Sequence, residues 1–325
     1  MDSSDRRQEV LPRPEVAPGW ADDPSDFAHR KPALVWRVKP ALRRMPSLRP
    51  LADAPRVSVV IPTLNEARNL EHVMPELPDG LFEVILVDGG SVDSTVETAK
   101  RLRPDIRVVR QTRRGKGNAL ACGFASSRGD VIVMLDADAS ADPGEIPLFV
   151  AALVDGADFA KGSRRLDGGG SADITRIRSL GNRCLSFLVN RLCGSRYTDL
   201  CYGYNAFWAK KCLAVLDLDW RSPPPPGVDG RLWGDGFEIE TLINIRIAEA
   251  GLKVVEVPSY EAPRLHGVSN LNAASDGLRV LRTILIEHSR ARRRRRERPT
   301  TQPDHVFQLE GDAECERAPA RQARI

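Results

Sequence analysis

Asp136 and Asp138 stand one residue apart, just after the apolar run Val131-Ile132-Val133-Met134-Leu135. That run is too short for a free-standing helix, is rich in β-branched residues, and follows the turn signal Arg128-Gly129-Asp130. It reads as a buried strand, central in a parallel sheet. Two carboxylates leaving such a strand lose hydration and repel one another unless a cation or strong hydrogen bonds compensate. Strand ends of this kind are where open α/β sheets bind ligands. A hard divalent ion with oxygen ligands, itself bridging a phosphate, is the chemistry this pattern serves. The plain alternative is a solvated, Asp-rich turn or helix cap.

The elements that must position the pair can be read upstream of it. Val57–Ile61, Glu83–Asp88 and Ile106–Val109 are short apolar runs ended by turn residues, and each predicts a strand. Between them lie a helix carrying Leu70, Val73, Met74 and Leu77, and a second reaching about Leu102, with a capping box from Ser94 and Glu97. A third helix, Asn118–Ser127, leads into the acidic strand. This alternation predicts an α/β fold: a doubly wound, mainly parallel sheet with right-handed crossovers. Its ligand-facing loops would be Pro62–Glu66, Asp88–Ser91 and Asp136–Ser140.

Downstream, Pro143–Leu153 predicts a helix and Asp158–Gly162 a strand, followed by the Gly-rich loop Ser163–Asp173. A helix over Ile174–Leu192 has Ile177, Leu180, Cys184, Leu188 and Leu192 on one face. Asp199–Phe207 reads as a turn and strand, Gly234–Glu240 opens another helix, and Lys253–Val257 is a last strand. Residues 1–54 predict a disordered arm, 55–271 the main domain, 272–290 an amphipathic helix and 291–325 a basic, disordered tail. Leu278, Leu281, Ile284 and Leu285 on that helix, feeding Arg290–Arg298, form a pattern suited to an anionic membrane surface through residues 278–298. A helix packed on the core with a solvated arginine tail is the alternative.

The chain has 325 residues, 42% of them hydrophobic and 28% charged, which allows one large soluble domain or two small ones. A net charge of +4 is too small to make nucleic acid a whole-chain partner. Six cysteines without a CxxC pair predict mostly buried free thiols in a reducing compartment. No stretch has the apolar length of a membrane span and no signal-peptide core opens the chain, so the expected location is cytoplasmic.

The segments VSVVIPTLNEARNL, VILVDGGSVDST, RGKGNALACGFASSRGDVIVMLDADAS, GSR, YGYNAF and GDGFEIE together resemble the family-2 glycosyltransferases of the GT-A fold. Within that family they look most similar to the polyprenyl-phosphate hexose synthases, the dolichol-phosphate mannosyltransferase group. The resemblance covers about Arg56 to Leu285. It implies inverting transfer of a hexose from a GDP- or UDP-sugar to an acceptor, with polyprenyl phosphate as the acceptor this group uses. It also implies that Pro62, Thr63, Glu66 and Asp88 line the base and ribose pocket. Lys116 would approach the diphosphate, where its flanking glycines let the backbone come close. Asp136 would contact ribose and metal, with Asp138 the principal ligand of Mg2+ or Mn2+. Arg164, Arg178 and Arg264 match the arginines that would hold an acceptor phosphate. The chain departs from the pattern at Ser140, where a Gln ligand is common, and at Asn270, where the loop starting at Arg264 commonly carries Lys.

A polyprenyl phosphate already offers an anionic oxygen, whereas a hydroxyl acceptor needs a base. For a soluble hydroxyl acceptor, such as a cell-envelope or secondary-metabolite precursor, Asp235 would be that base, with Glu238 behind it, and His266 would complete the metal site. Asp235 would otherwise be a helix N-cap. A third reading is an inactive module that binds nucleotide-sugar and is recruited to membranes. The peripheral inner face of the cytoplasmic membrane is the location the lipid reading implies.

Overall fold

Val57–Thr63 (β1) and Glu83–Asp88 (β2) are buried along nearly their whole length in the computed structural model, which describes residues 54–227, 230–267 and 273–297. They lie side by side and parallel, with Thr63 opposite Asp88. Arg107–Arg110 (β3) extends the sheet beyond β2, and Val131–Met134 (β4) pairs parallel with β1 on its other side. The expected acidic strand is therefore central. Beyond β4 the pattern changes: Phe159–Ser163 (β5) does not touch it, because Asn205–Trp208 (β7) lies between them, antiparallel to both. Val254–Pro258 (β8) closes the edge parallel to β5, giving the order β3-β2-β1-β4-β7-β5-β8. Gly170–Ser171 (β6) and Tyr260–Glu261 (β9) form a separate two-stranded ribbon that the sequence pattern does not announce. The mainly parallel, doubly wound α/β sheet is thus present, with one antiparallel strand inserted.

Helices cover both faces, so alternate strand residues enter two cores. Val59, Ile61, Leu86 and Val133 pack with Leu70 and Val73 of Ala67–Val73 (α1) and with Phe149 and Leu153 of Ile146–Val154 (α4). Thr95–Leu102 (α2) lies on the same side through Ala99. Val60, Ile85, Ile132 and Met134 pack with Leu120 and Phe124 of Lys116–Ser126 (α3). Ala209–Leu216 (α6) and Ile239–Glu249 (α7) complete that side through Leu216, Leu242 and Ile243. Fully buried rings such as Phe124 and Phe149 each stabilise by roughly 1.5–3 kcal/mol. A third, smaller cluster joins Val189 of Arg176–Cys193 (α5), Ile245 of α7 and Ile284 of Ala273–Glu297 (α8).

The structure adds detail to four local features. Ser94 precedes α2, yet its side chain makes no capping bond; Asp93 instead accepts from the Thr95 amide. The apolar face of α5 is split: Ile177, Leu180 and Cys184 are exposed, Leu188 and Leu192 pack partly against the third cluster, and Asn182, Ser186 and Val189 are buried. Of the five described cysteines, all free, only Cys122 and Cys212 are buried. Helix α8 runs unbroken to Glu297, so no element boundary falls between 290 and 291. The arm up to residue 53, the tail after 297 and the loop positions Val268, Ser269 and Asn270 lie outside the described residues.

Candidate active site

Lys116 opens α3, behind Gly115 at φ 120°. The first amides of this helix find their acceptor far away in sequence: the Asp235 carbonyl takes the Gly117 N–H at 2.8 Å and the Asn118 N–H at 3.4 Å. A Cβ on Gly115 or Gly117 would collide with the backbone of Asp235 or Gly234. The two glycines expected to admit a diphosphate are required for this loop-to-helix contact.

Held in this way, the Lys116 ammonium donates to Asp136 Oδ2 at 2.8 Å and to Glu240 Oε1 at 2.5 Å. Burial would lower its pKa, but the two carboxylates reverse that and hold it above the usual lysine range. Asp136 is pushed up, mainly by burial; Lys116 opposes this while Asp138 and Glu240 add to it. Glu66 is also raised by burial, against the pull of the Asn69 amide and Arg264. Asp138 accepts from Arg264 Nη2 at 2.8 Å on one oxygen and from the Ser140 amide (3.0 Å) and hydroxyl (2.7 Å) on the other. Between them Ala139 sits at φ 61°, a left-handed conformation that turns the chain sharply away from β4. Arg264 Nη1 lies 3.7 Å from Glu66 Oε1, so this arginine links the loop after β1 to the loop after β4.

The structure therefore brings Glu66, Lys116, Asp136, Asp138 and Arg264 together, and adds Glu240. Glu240 escaped the sequence reading, which settled on Asp235 and Glu238 in the same GDGFEIE segment. The available signal was helical spacing, since Glu240 lies in the first turn of α7 and points where Glu238 does not. Glu238 turns back to accept from the Gly234 and Gly236 amides.

Asp235, the candidate base, sits in a buried ion pair. It is only 3% exposed, and Arg113 donates Nε to Oδ2 at 2.7 Å and Nη2 to Oδ1 at 2.9 Å, while the Leu232 amide also bonds Oδ2. Three of the roughly four lone-pair sites of this carboxylate are thus occupied within the protein. Asp235 is not an N-cap by its side chain, because α7 begins at Ile239. Arg164 is likewise committed. It grips Asp199 through Nε at 2.7 Å and Nη2 at 2.9 Å, bonds Glu261 at 2.9 Å, and its side chain is 7% exposed. Arg178 is half-buried on α5, 3.6 Å from Asp173. His266 stacks its ring obliquely near His72, and its carbonyl accepts from Asn69.

Pro62, Thr63 and Asp88 form the neighbouring rim. The Thr63 hydroxyl is turned into the sheet and donates to the Val87 carbonyl. Asp88 accepts from the Gly90 and Ser91 amides and so shapes its own Gly-Gly-Ser turn. A cavity of about 380 Å³ opens beside this turn, between Gly89–Gly90, Arg110–Arg114 and the residues Pro224, Gly227 and Gly230.

A carboxylate-rich site at the ends of β1 and β4 fits what the comparisons find. The family model described as Glycosyl transferase family 2 matches residues 58–213. An undecaprenyl-phosphate mannosyltransferase of Micrococcus luteus is 32% identical over 235 residues, which is 70% of this chain and 91% of that protein. This chain belongs to glycosyl transferase family 2. The dolichol-phosphate mannosyltransferase of Pyrococcus furiosus is 33% identical over 223 residues, 66% of this chain; the matched stretch spans only 59% of that relative. Among solved structures, glucosyl-3-phosphoglycerate synthase from Mycobacterium tuberculosis, crystallised with Mn2+, UDP and glucosyl-3-phosphoglycerate, superimposes with a TM-score of 0.55 at 24% identity. It covers 72% of this chain and 80% of its own. That likeness shows the GT-A fold.

For this family-2 glycosyltransferase the donor set suits a hard divalent cation. The ligand atoms are carboxylate oxygens, and four acids (Glu66, Asp136, Asp138, Glu240) share only two cations, Lys116 and Arg264, a formal excess of two negative charges; as the side chains stand, no three of these acids bring oxygens within 4.8 Å of one another. Among the described residues no helix is long and apolar enough to cross a membrane.

Proposed function

We propose that this chain is an inverting, metal-dependent transferase that moves a hexose from a GDP- or UDP-sugar to a polyprenyl phosphate at the inner face of the cytoplasmic membrane. The observation that carries the reading is the uncompensated carboxylate cluster at the ends of β1 and β4. The names of the Pyrococcus and Micrococcus relatives add support for the acceptor class and make mannose the first sugar to test.

In this reading the cavity lined by Gly89 and Gly90 receives the nucleoside, and Pro62, Thr63, Asp88 and Glu66, on the adjoining strand ends, are assigned to the base and ribose. The cavity volume is within the usual range for small-ligand sites. Asp138 and Asp136 would hold Mg2+ or Mn2+, which when bound neutralises charge on the departing diphosphate. Lys116, fixed between Asp136 and Glu240, supplies a permanent positive charge for the same diphosphate. Ser140 donates to Asp138 and so orients its carboxylate, a different task from the amide ligand common in relatives. Arg264 is the arginine best placed for the acceptor phosphate, because its present partners Asp138 and Glu66 are the groups a divalent cation would draw away. Arg178, 3.6 Å from Asp173 near the start of α5, is assigned the same role; Arg164, tied to Asp199 and Glu261, serves as framework. An anionic phosphate oxygen attacks the anomeric carbon in line without surrendering a proton, which accords with the sequestration of Asp235.

The test crosses GDP- and UDP-hexoses with a short polyprenyl phosphate, a soluble sugar hydroxyl and water, in the presence of Mn2+. Transfer to the phosphate with inversion supports the reading. Transfer only to the hydroxyl, or product formed equally well in excess chelator, overturns it.

A further inference from the structure

Three helices meet beside the smallest of the cores, and each brings a metal-ligating side chain. Cys193 is the last residue of α5, Glu249 is the last of α7, and His288 lies on α8. One ligand atom from each, a thiol sulfur, a carboxylate oxygen and a ring nitrogen, all fall within 4.8 Å of one another. Among the described residues no other three such atoms are gathered so closely. The place is separate from the candidate active site. Glu240 and Glu249 stand near opposite ends of α7, about 14 Å apart along its axis at 1.5 Å per residue.

The set is mixed rather than acidic, and that decides which ion it suits. Thiolate and imidazole are ligands of zinc, whereas Mg2+ and Ca2+ take oxygen. Zinc holds nitrogen and oxygen at about 2.0–2.2 Å, so two such ligands at the tetrahedral angle lie about 3.3 Å apart. His288 Nδ1 and Glu249 Oε1 are 3.1 Å apart. Sulfur bound to the same ion would lie about 3.5 Å from either, so the Cys193 thiol has little over an ångström to close. Electrostatics also favour a cation here, because the carbonyl ends of helices carry partial negative charge and both α5 and α7 terminate on a ligand residue. Cys193 packs against the same apolar cluster as Leu188, Leu192 and Val280, which closes one side. The His288 and Glu249 side chains keep 19% and 10% exposure, enough for a water to complete a tetrahedron. A plain His288–Glu249 ion pair would also account for the 3.1 Å contact, but it gives the thiol no part.

We propose that Cys193, Glu249 and His288 form a structural zinc site that pins α8 to the ends of α5 and α7. The ion takes the place of the proton between His288 Nδ1 and Glu249, leaving a neutral imidazole with its proton on Nε2. The thiol proton passes to solvent as the sulfur ligates as thiolate. Because the ligands come from segments far apart in the chain, one ion restrains long loops of the unfolded state as well as the helices. The role is structural and holds whichever acceptor the enzyme uses.

The test uses the full chain, stripped with chelator and reloaded with zinc in excess Mg2+, which competes for the oxygen ligands of the active site. Metal analysis after dialysis should give a single zinc per chain, and the melting temperature should rise by about 4 °C or more over the metal-free chain. Cys193→Ser should bind zinc at least about tenfold more weakly and melt like the metal-free parent, whereas Asp138→Ala should keep both the zinc and the thermal response. Co2+ in place of zinc should give thiolate-to-metal absorption in the parent and none in Cys193→Ser. Alkylation of the parent, read by peptide mass, tests the site even if that variant fails to fold: zinc should shield Cys193 and leave the exposed Cys184 unchanged. Equal alkylation of Cys193 with and without zinc overturns the proposal. So does zinc lost from Asp138→Ala but kept by Cys193→Ser, and so does a parent melting temperature that ignores zinc, the result expected of a plain ion pair.

Discussion

Two clusters of buried charge lie in this domain, and they differ in how completely they are closed. Around Arg164, the acids Asp199, Glu256 and Glu261 meet Arg164 and Lys161, and almost every remaining oxygen is taken by Thr198, Asn182, Ser171 or a backbone amide. Lys161 itself donates to the carbonyls of Tyr202 and Gly162. Around Lys116, four acids crowd two cations and fewer of their oxygens are taken by neutral donors; burial raises Glu66 and Asp136 here, as it raises Glu256 in the first cluster. Closed networks of the first kind rigidify a fold. Open ones of the second kind retain a demand for charge that a ligand can meet. The same residue types thus serve as framework in one place and as site in the other, and the sequence spacing alone cannot separate them.

Substitutions should divide along that line. The largest effect is expected from Asp199→Ala, which leaves Arg164 buried without its bidentate partner and should cost about 3–5 kcal/mol in chemical denaturation. A loss under about 1 kcal/mol would remove the distinction. Asp138→Ala should do the opposite, cutting turnover by at least about 100-fold while leaving the unfolding free energy within about 1 kcal/mol. Near-parental turnover would end the assignment of Asp138 as metal anchor.

Acid titration sharpens the contrast further. Burial would raise the Asp199 carboxyl, but Arg164 outweighs it and holds the pKa at about 2 against an ordinary 3.8. A folded-state pKa below the unfolded one gives stability that is complete above about pH 4 and disappears as pH falls toward 2. The contribution is about 2 kcal/mol. Asp199→Asn should flatten that part of a stability-against-pH curve, and an unchanged curve would show that other carboxylates carry it. The smallest effect belongs to Ala139, whose positive φ favours glycine. Ala139→Gly should raise stability by up to about 1 kcal/mol, measured in urea, if the strain relieved exceeds the added chain entropy.

The N-terminal half was legible because its signals are local. Continuous apolar runs mark β1, β2 and β4, and ligand loops follow from strand ends, so Glu66, Asp136 and Asp138 could be placed together without coordinates. Lys116 and Arg264 needed the family resemblance as well. The rest depended on partners distant in sequence. Nothing near Asn205 says that β7 will enter antiparallel between β4 and β5. Nothing near Asp235 says that Arg113 will claim it, leaving Glu240 to face Lys116. Hydrophobic periodicity located α5 but could not say which residues it would bury, because the segment Tyr197–Cys201 supplies hydrogen bonds to its polar face and leaves Ile177 and Phe187 exposed.

The carbonyl of Asp235 that caps α3 sets an order of events during synthesis. Every strand flanking the acidic pair is present once the chain has passed residue 208, yet Lys116 then has a loose helix start and one of its two acidic partners. Only after residue 240 leaves the ribosome can the ammonium be locked in place. A nascent chain would therefore own the strands around the acidic pair before it owned a working centre, and a fragment ending at 213, where the family match stops, should fold in part and bind donor poorly.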